Sequence, residues 1–305
     1  MENRIVAEPI SKIKEIARNA AKGNWWKLFI GVFIYIAVSF AITLMTGMLA
    51  EAVPMYRYLY AGYEYYAINF TGVLLWIVDL LLIAPLVMGL NIFFIGAFRT
   101  KSASYVDLFK GFTLFPKAVG LCVLLYVKII AWGLPVLIPG VIIAFVTYEP
   151  LVLIIFAVAA AVLEVMAALR YSQAMLLLAD NRETGVFQCI RESKRLMKGN
   201  KGKFFCLQLS FIGWILLWIV FILAIFALFA VAYAVSIQFF VLRAYSIIFT
   251  ASIIIIISMV ISMIPLATYI GMSAVSFYEL LTGNLVVVAQ TALDRPETYF
   301  EDNLK

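Results

Sequence analysis

Long apolar runs alternate with short polar connections along the whole chain. An apolar helix needs about 20 residues to cross a lipid bilayer, and each of these runs is longer than that. The runs cover residues 26–49, 71–98, 118–146, 151–179, 204–235 and 247–281. The pattern predicts an all-α, polytopic integral membrane protein whose six transmembrane helices form a single membrane domain over residues 1–305.

The composition agrees with this prediction. Hydrophobic residues make up 65% of the chain and charged residues 13%, whereas a soluble domain is about half apolar and about a quarter charged. A soluble core could not cover so much apolar surface, but lipid can. The net charge of +6 arises mostly between the apolar runs, so it indicates membrane orientation and not nucleic-acid binding.

The 23 Lys and Arg residues are distributed very unevenly between the two predicted sides. Only Arg57 and Arg243 fall on one side. Lys128 and Arg170 fall inside spans, and all the others fall on the opposite side. Basic residues concentrate on the cytoplasmic side of membrane proteins, so both termini are predicted to be cytoplasmic.

Three polar connections on this basic side have helical periodicity. They are predicted to be short helices lying in the membrane interface, at residues 9–22, 104–110 and 184–198. In the third segment Ile190, Ser193 and Met197 share one face, and basic residues occupy the others. We therefore expect the apolar faces to lie in lipid and the basic faces to contact headgroups.

A Lys-Gly dipeptide precedes each odd-numbered run at intervals of 88 residues, at Lys22-Gly23, Lys110-Gly111 and Lys198-Gly199. The equal spacing predicts a threefold repeat with units 9–98, 104–179 and 184–281, each a surface helix and a helical hairpin. Two crossings restore the starting side, so the units would be parallel around an axis along the membrane normal. A glycine there would let the chain turn sharply into the bilayer. A fourth such dipeptide, Lys201-Gly202, leaves chance spacing as the alternative.

The connection at residues 51–70 is the longest on the outer side and is rich in tyrosine, with Tyr56, Tyr58, Tyr60, Tyr63, Tyr65 and Tyr66. Tyrosine prefers the membrane–water interface, so an aromatic belt that holds the loop flat is the favoured interpretation. A stacking platform for a sugar-like ligand is the alternative.

Four charged residues fall inside spans: Asp79, Lys128, Glu164 and Arg170. Each costs about 2.5–3.5 kcal/mol at the centre of a membrane, so such residues are candidate substrate- or ion-binding groups. Lys128 and Glu164 could meet if the third and fourth spans are neighbours, and Asp79 lies nearer the outer face. The pair would either line a polar cavity or form an ion pair that fixes helix packing. Arg170 is expected to snorkel toward the interface.

The third span contains a candidate hinge, formed by Gly133, Pro135, Pro139 and Gly140. Each proline removes a backbone donor and clashes with the preceding turn. We therefore expect this helix to be kinked or broken.

Basic residues beside the spans are candidates for contact with anionic lipid headgroups, at about 1 kcal/mol each. They are Lys22, Lys27, Lys110, Lys194, Arg195, Lys198, Lys201 and Lys203. The basic segment 184–203 could instead dock a cytoplasmic partner or another membrane protein.

Enzyme chemistry has little support. The chain has no histidine, no nucleophile-elbow or phosphate-loop motif and no close carboxylate pair. Its three cysteines have no metal or redox spacing. Asp180, Asn181, Glu183 and Glu192 lie near a basic interface, where attack on a lipid headgroup is conceivable. Helix capping by Asp180 or Asn181 is the simpler explanation. We expect no catalytic residues, no cofactor and no metal.

Several stretches resemble a bacterial family of integral membrane proteins, domain-of-unknown-function family 975. They are ARNAAKGNWWKLF near the start, the IPG of the third run, RYSQAMLLLADN and IRESKRLMKGNKGKFFCLQLSFIGW. The resemblance implies a bacterial cytoplasmic membrane and no established activity, and it supplies no catalytic residues.

The sequence therefore favours a non-enzymatic membrane scaffold or accessory module that contacts anionic lipid. The alternative is a transporter or permease for a peptide or amphiphilic substrate, which would use the charges inside the spans beside the proline-containing helix.

Overall fold

The computed structural model describes residues 4–52, 57–60, 63–66, 70–102, 104–236 and 241–285. The described chain is predominantly helical, which confirms the all-α class. Its helices are α1 Ile10–Ala21, α2 Trp25–Ala52, α3 Phe70–Thr100, α4 Phe115–Thr147, α5 Pro150–Tyr171, α6 Ala174–Asp180, α7 Val186–Leu196, α8 Lys201–Leu209, α9 Ile212–Ser236 and α10 Val241–Thr282.

Six helical stretches in the described residues are long and apolar enough to cross a membrane. They confirm the six predicted spans. Their side chains are mostly exposed to the surroundings over the first five stretches, while the C-terminal part of α10 is largely buried. Large apolar side chains are exposed along these helices, as expected where lipid, and not water, surrounds a helix.

Two short strands interrupt the helical pattern in the tyrosine-rich outer connection. The strands β1 (Arg57–Tyr60) and β2 (Tyr63–Tyr66) pair in antiparallel register. The sequence predicted no strand there. The tyrosine side chains lie outside what the structure describes, so both interpretations of this loop stay predictions.

The fourth predicted span is not one helix, because it divides at Ser172 and Gln173 into α5 and α6. The Gln173 backbone N–H donates to Ser193 Oγ of α7 at 3.2 Å. Ser193 Oγ donates in turn to the Arg170 carbonyl at 3.2 Å. The Ser193 hydroxyl replaces hydrogen-bond partners that a continuous helix would provide for these backbone groups. Ser193 belongs to α7, so α7 fixes the bend between α5 and α6.

The fifth predicted span also divides, at Ser210 and Phe211, between α8 and α9. Lys14 of α1 lies over this break. Its Nζ donates to the Ser210 carbonyl at 3.3 Å and sits 4.3 Å from the centre of the Phe211 ring. Burial, together with the nearby charge of Arg18, lowers the pKa of Lys14.

The buried side chains form one core that is concentrated where α1, α6, α7 and the ends of α3 and α10 meet. Two adjacent phenylalanines of α3 insert into glycine notches on its neighbours. Phe93 lies against Gly31 of α2, and Phe94 lies against Gly271 of α10. A side chain at either glycine would overlap the aromatic ring, so these contacts set how closely the helices approach.

The surface helices α1 and α7 bury their apolar faces in protein. Ile13, Ala17 and Ala21 of α1 are fully buried, and α1 packs mainly on α10. Cys189 and Leu196 of α7 are also fully buried. The expectation that these faces lie in lipid is wrong, because their residues are buried among the apolar side chains of the folded core.

The middle surface segment is a 3₁₀ helix, Tyr105–Leu114, and not an α-helix. It lies along α3 with almost no space between the two backbones. A side chain at Gly89 would overlap the Leu108 carbonyl, and one at Gly111 would overlap the Pro85 carbonyl. Tight 3₁₀ winding and two glycines together allow this approach.

The three repeat glycines do not share one role. Gly23 and Gly199 have φ of 86° and 88°, so both make the left-handed turn that glycine favours. Gly111 does not, and its role is the close contact with α3. The turn predicted for the middle copy is therefore wrong, and the threefold repeat as a whole stays a prediction.

The helix α4 is continuous through Pro135 and Pro139. A broken third span is therefore not observed, since the turns before both prolines keep helical geometry. The kink at these residues stays a prediction. Gly133 and Gly140 have a different role, because they face Glu164 and Phe156 of α5 at close range.

The glycine contact between α3 and the 3₁₀ segment predicts a large cost for Gly89→Ala. The added methyl group would meet the Leu108 carbonyl, and overpacking of this kind costs about 1–3 kcal/mol or more. Gly120→Ala in α4 is the matched control, because nothing lies within 4 Å of the added atom. Thermal unfolding in detergent should show a lower Tm for Gly89→Ala only. Equal Tm values for both variants would contradict the close approach.

Candidate functional site

Three helices end at one point, where Arg99 of α3 meets Asp180 of α6 and Glu279 of α10. The Arg99 Nε donates to Glu279 Oε1 at 2.7 Å. Its two terminal nitrogens donate to the two oxygens of Asp180, with Nη2 to Oδ2 at 3.0 Å. One guanidinium therefore holds both carboxylates in a planar, fork-like geometry. We call these three residues the charged cluster.

Two further side chains complete the hydrogen bonds of the charged cluster. The Tyr278 hydroxyl donates to Asp180 Oδ2 at 2.8 Å. The Asn284 amide donates to Glu279 Oε2 at 2.7 Å. The Glu279 side chain is only 2% exposed, and that of Asp180 is 17% exposed. A carboxylate buried as deeply as Glu279 is costly unless charged and polar donors satisfy it, which they do here.

Helix geometry explains why a cation is needed at this point. The C-terminal ends of α3, α6 and α10 converge at Arg99, and each carries a partial negative charge from its free carbonyl groups. Asp180 and Glu279 add two carboxylates to the same region. Arg99 is the charge that opposes them, so its loss would leave several negative groups facing one another.

A small polar cavity of about 180 Å³ opens beside the charged cluster, between α6, α7 and Tyr278. Cys189 lines it, and burial raises the pKa of this thiol to about 11. The thiol is therefore protonated near neutral pH and is a poor nucleophile. In the part of the chain that the structure describes, no group of His, Cys, Asp or Glu side chains could hold a metal ion.

The sequence did not identify the charged cluster. In the sequence, Arg99 was one of the basic residues that predict the membrane orientation, and Glu279 was not a candidate site residue. Asp180 is not a helix cap, because its carboxylate binds Arg99 and Tyr278, whereas Asn181 Oδ1 does accept the Glu183 N–H in a local turn. The available signal was a carboxylate inside the apolar stretch VSFYELL and an arginine at the end of another apolar run.

Lys128 and Glu164 do not form an ion pair, although α4 and α5 are neighbours as expected. Gly133 faces Glu164 and Gly140 faces Phe156. This register puts Lys128 level with positions 168–169, about 6–7.5 Å along the axis from Glu164. The carboxyl group of Glu164 lies against Gly133 instead.

Arg170 packs its guanidinium over the Trp132 ring of α4, 4.8 Å from the ring centre. A cation–π contact of this kind satisfies part of the charge without a carboxylate. The contact is with an aromatic ring of a neighbouring helix, so Arg170 joins neither Glu164 nor Asp79. The snorkelling that the sequence predicts for Arg170 stays a prediction.

Asp79 belongs to a separate site between α2 and α3. Its Oδ1 accepts hydrogen bonds from Thr43 Oγ1 at 3.0 Å and from Thr46 Oγ1 at 3.3 Å. About 30 Å of helix separates Asp79 from Arg99. The four charged residues of the spans thus occupy at least two places and do not line one cavity.

The predicted headgroup contacts fall into two groups. Lys22, Lys27, Lys194, Arg195 and Lys198 are exposed, and the others are half-buried. Some already have partners inside the protein. Lys110 pairs with Asp107, Arg195 pairs with Glu192, and Lys203 donates to the Val6 carbonyl at 2.9 Å.

The N-terminal segment packs on the turn between α7 and α8. The Asn200 amide donates to the carbonyls of Arg4 and Leu196, and its Oδ1 accepts the Val6 N–H, all at 2.8–2.9 Å. Arg4 also lies against Gly283 at the end of α10. The first and last described segments therefore lie on the same side of the protein, as an even number of crossings requires.

The fold and the charged cluster together define a helical, multi-pass membrane protein held together at one end by ion pairs. A family model described as Protein of unknown function (DUF975) matches residues 8–285. The chain belongs to this family. No curated protein and no solved structure matches the chain.

Removing Arg99 should destabilise the protein strongly, because Glu279 would keep a buried charge without its cation. Breaking a buried pair in this way costs about 3–5 kcal/mol. The ion pair of Arg99 with Asp180 is less deeply buried than that with Glu279, so it contributes less. We expect Arg99→Gln to lower the Tm markedly, and Arg99→Gln combined with Glu279→Gln to recover part of the loss.

Arg191→Gln is the control, since Arg191 is an exposed arginine of α7 and should change stability by less than about 0.5 kcal/mol. The measurement is a double-mutant cycle of thermal unfolding in detergent. Additive effects of Arg99→Gln and Glu279→Gln would show that the two side chains are not coupled.

Proposed function

We propose that this protein is a non-enzymatic membrane scaffold or accessory module that contacts anionic lipid. The observation that carries the proposal is the charged cluster. Its groups bond one another at the convergent ends of three helices, which suits a rigid support better than a reaction site. The raised pKa of the Cys189 thiol, which makes this thiol a poor nucleophile, is consistent with this function.

The dispersed positions of the charges within the spans also support a scaffold. The transporter predicted from sequence would place Lys128 and Glu164 together in a polar cavity and would also use Asp79, nearer the outer face. Instead Glu164 lies against Gly133, and Asp79 bonds to threonines of α2.

A transporter or permease for a peptide or amphiphilic substrate is the second candidate. One observation favours it: Lys128 and Glu164 are half-buried, and neither forms an ion pair within the described residues. Charges of this kind in a membrane are costly unless water or a substrate reaches them.

The proposed setting is the cytoplasmic membrane of a bacterium, with both termini in the cytoplasm. The uneven distribution of Lys and Arg supports this orientation. The exposed basic residues Lys22, Lys27 and Lys194 would then face anionic headgroups. The basic face of α7 would remain available to a cytoplasmic or membrane partner, with no role for nucleic acid.

Thiol accessibility distinguishes the scaffold from the transporter. Cysteine is placed at position 128 or 164 in a chain whose native cysteines are replaced, and a membrane-impermeant maleimide is applied to intact cells and to inverted vesicles. We expect protection from both sides in a protein that inserts normally. Labelling from outside would overturn the scaffold proposal in favour of a water-filled path.

Two control positions provide a labelled and a protected reference for this experiment. Glu149→Cys lies at the exposed connection between α4 and α5 and should be labelled in intact cells. Ala160→Cys is buried, at 2% exposure, and should never be labelled. Labelling of Glu149→Cys only in inverted vesicles would show that the proposed orientation is reversed.

Lipid contact is tested by counting retained phosphatidylglycerol by native mass spectrometry, after release from mixed phosphatidylglycerol–phosphatidylcholine nanodiscs. Lys22→Gln combined with Lys27→Gln should reduce the preference for the anionic lipid, by about fivefold for each residue at about 1 kcal/mol. Lys12→Gln is the control, because Lys12 already pairs with Glu15 at 3.3 Å. An unchanged preference in the double variant would contradict headgroup contact at these residues.

A further inference from the structure

A groove of about 630 Å³ runs between α3 and α4, and among the residues that the structure describes Asp79 is the only charged one that lines it. Its volume falls within the range of about 300–1,000 Å³ that is typical of small-molecule sites. The groove walls are otherwise apolar or aromatic, from Trp76, Leu80, Ile83, Val123, Tyr126 and Val127 among others. A cavity with one charged group and apolar walls is suited to an amphiphile.

The carboxylate of Asp79 is held in place but keeps acceptor sites for a further partner. Both threonine hydroxyls donate to the same oxygen, Oδ1. Within the described residues no Lys or Arg nitrogen lies within 4.0 Å of the carboxylate, and Oδ2 has no hydrogen-bond donor. A carboxylate has about four lone-pair sites, so Asp79 is oriented by α2 and can still bind a cation.

Asp79 is far along the helices from the basic end of the protein. On α2, about 28 Å of helix separates the interfacial Lys27 from Thr46, and about 30 Å of α3 separates Arg99 from Asp79. The hydrocarbon layer is about 30 Å thick. Asp79 therefore lies about one hydrocarbon thickness along α3 from Arg99, and Leu80 and Ile83 continue from Asp79 toward that basic end.

The aromatic residues add to the attraction for a cation. Trp76 and Tyr126 line the groove with Asp79, and both are more than half exposed. The faces of such rings attract ammonium groups, and Trp and Tyr prefer the headgroup level of a membrane. A positive headgroup at Asp79 would meet both rings, while its chain would run along the aliphatic side chains below.

We infer that this groove binds a single-chain amphiphile with a cationic ammonium headgroup, with the headgroup at Asp79 and the chain along α3 and α4. The site is separate from the charged cluster and does not depend on the scaffold proposal. The ammonium headgroup would supply the positive charge that Asp79 lacks within the described residues. Such a ligand would also explain why one carboxylate stands in an otherwise apolar groove.

The probe is a hexadecyltrimethylammonium carrying a photo-reactive group near its head, added to the full chain in phosphatidylcholine nanodiscs. We expect saturable cross-linking to peptides that contain Trp76, Asp79 or Tyr126. Asp79→Asn keeps an acceptor for the two threonines but removes the charge, and should raise the half-saturating probe concentration by about tenfold or more.

Glu149→Gln is the matched control, because it removes one carboxylate from the exposed connection between α4 and α5, outside the groove, and should leave half-saturation unchanged. The same chain with a sulfonate headgroup should label the groove at least about tenfold more weakly. Ile83→Trp should block labelling by filling the space for the chain.

Three results would overturn the inference: no saturable labelling of the groove, labelling that Asp79→Asn leaves unchanged, or equal labelling by the sulfonate probe. If Ile83→Trp blocks labelling but Asp79→Asn does not, the groove binds the chain alone and the headgroup assignment is wrong. None of these outcomes alters the thiol accessibility of position 164, so the scaffold proposal is judged separately.

Discussion

The packing of this protein depends on one guanidinium between two carboxylates. Arg99 lies where the C-terminal ends of three helices converge, and each of these ends repels negative charge. Because Glu279 is almost fully buried, neither it nor Asp180 could occupy this place without a cation. The ion pairs therefore determine where α3, α6 and α10 end relative to one another.

The rest of the core assembles around the same end of the protein. The fully buried faces of α1 and α7 complete it on the side where the N-terminal segment binds Asn200. Glycine notches for Phe93 and Phe94 then fix α2 and α10 on α3. Away from this end the helices expose apolar side chains, which suits a hydrocarbon environment where apolar surface carries no cost.

The helix α3 connects the two chemically distinct places in the protein. Its C-terminal end carries Arg99, which is satisfied by its neighbours, whereas Asp79 stands in an apolar groove about 30 Å away. A closed network of this kind is suited to support, and an open carboxylate beside a groove is suited to a ligand. A scaffold that holds a lipid-like cation would need both.

The sequence by itself determined the class, the six spans and the family, because an apolar run of sufficient length has few alternatives to a membrane helix. It also placed α1 and α7 to within a few residues and located Asp79, Lys128, Glu164 and Arg170 within spans. These properties are local, and each follows from periodicity or from charge along the chain.

Only the tertiary structure decided what those residues touch. The pairing of Arg99 with Asp180 and Glu279 joins residues far apart in sequence, and no local pattern records it. The register of α4 against α5 separated Lys128 from Glu164, and the hydroxyl of Ser193 divided the fourth span. The sequence also did not determine that the amphipathic faces of α1 and α7 are buried in protein, because lipid and a folded core both favour the same apolar periodicity.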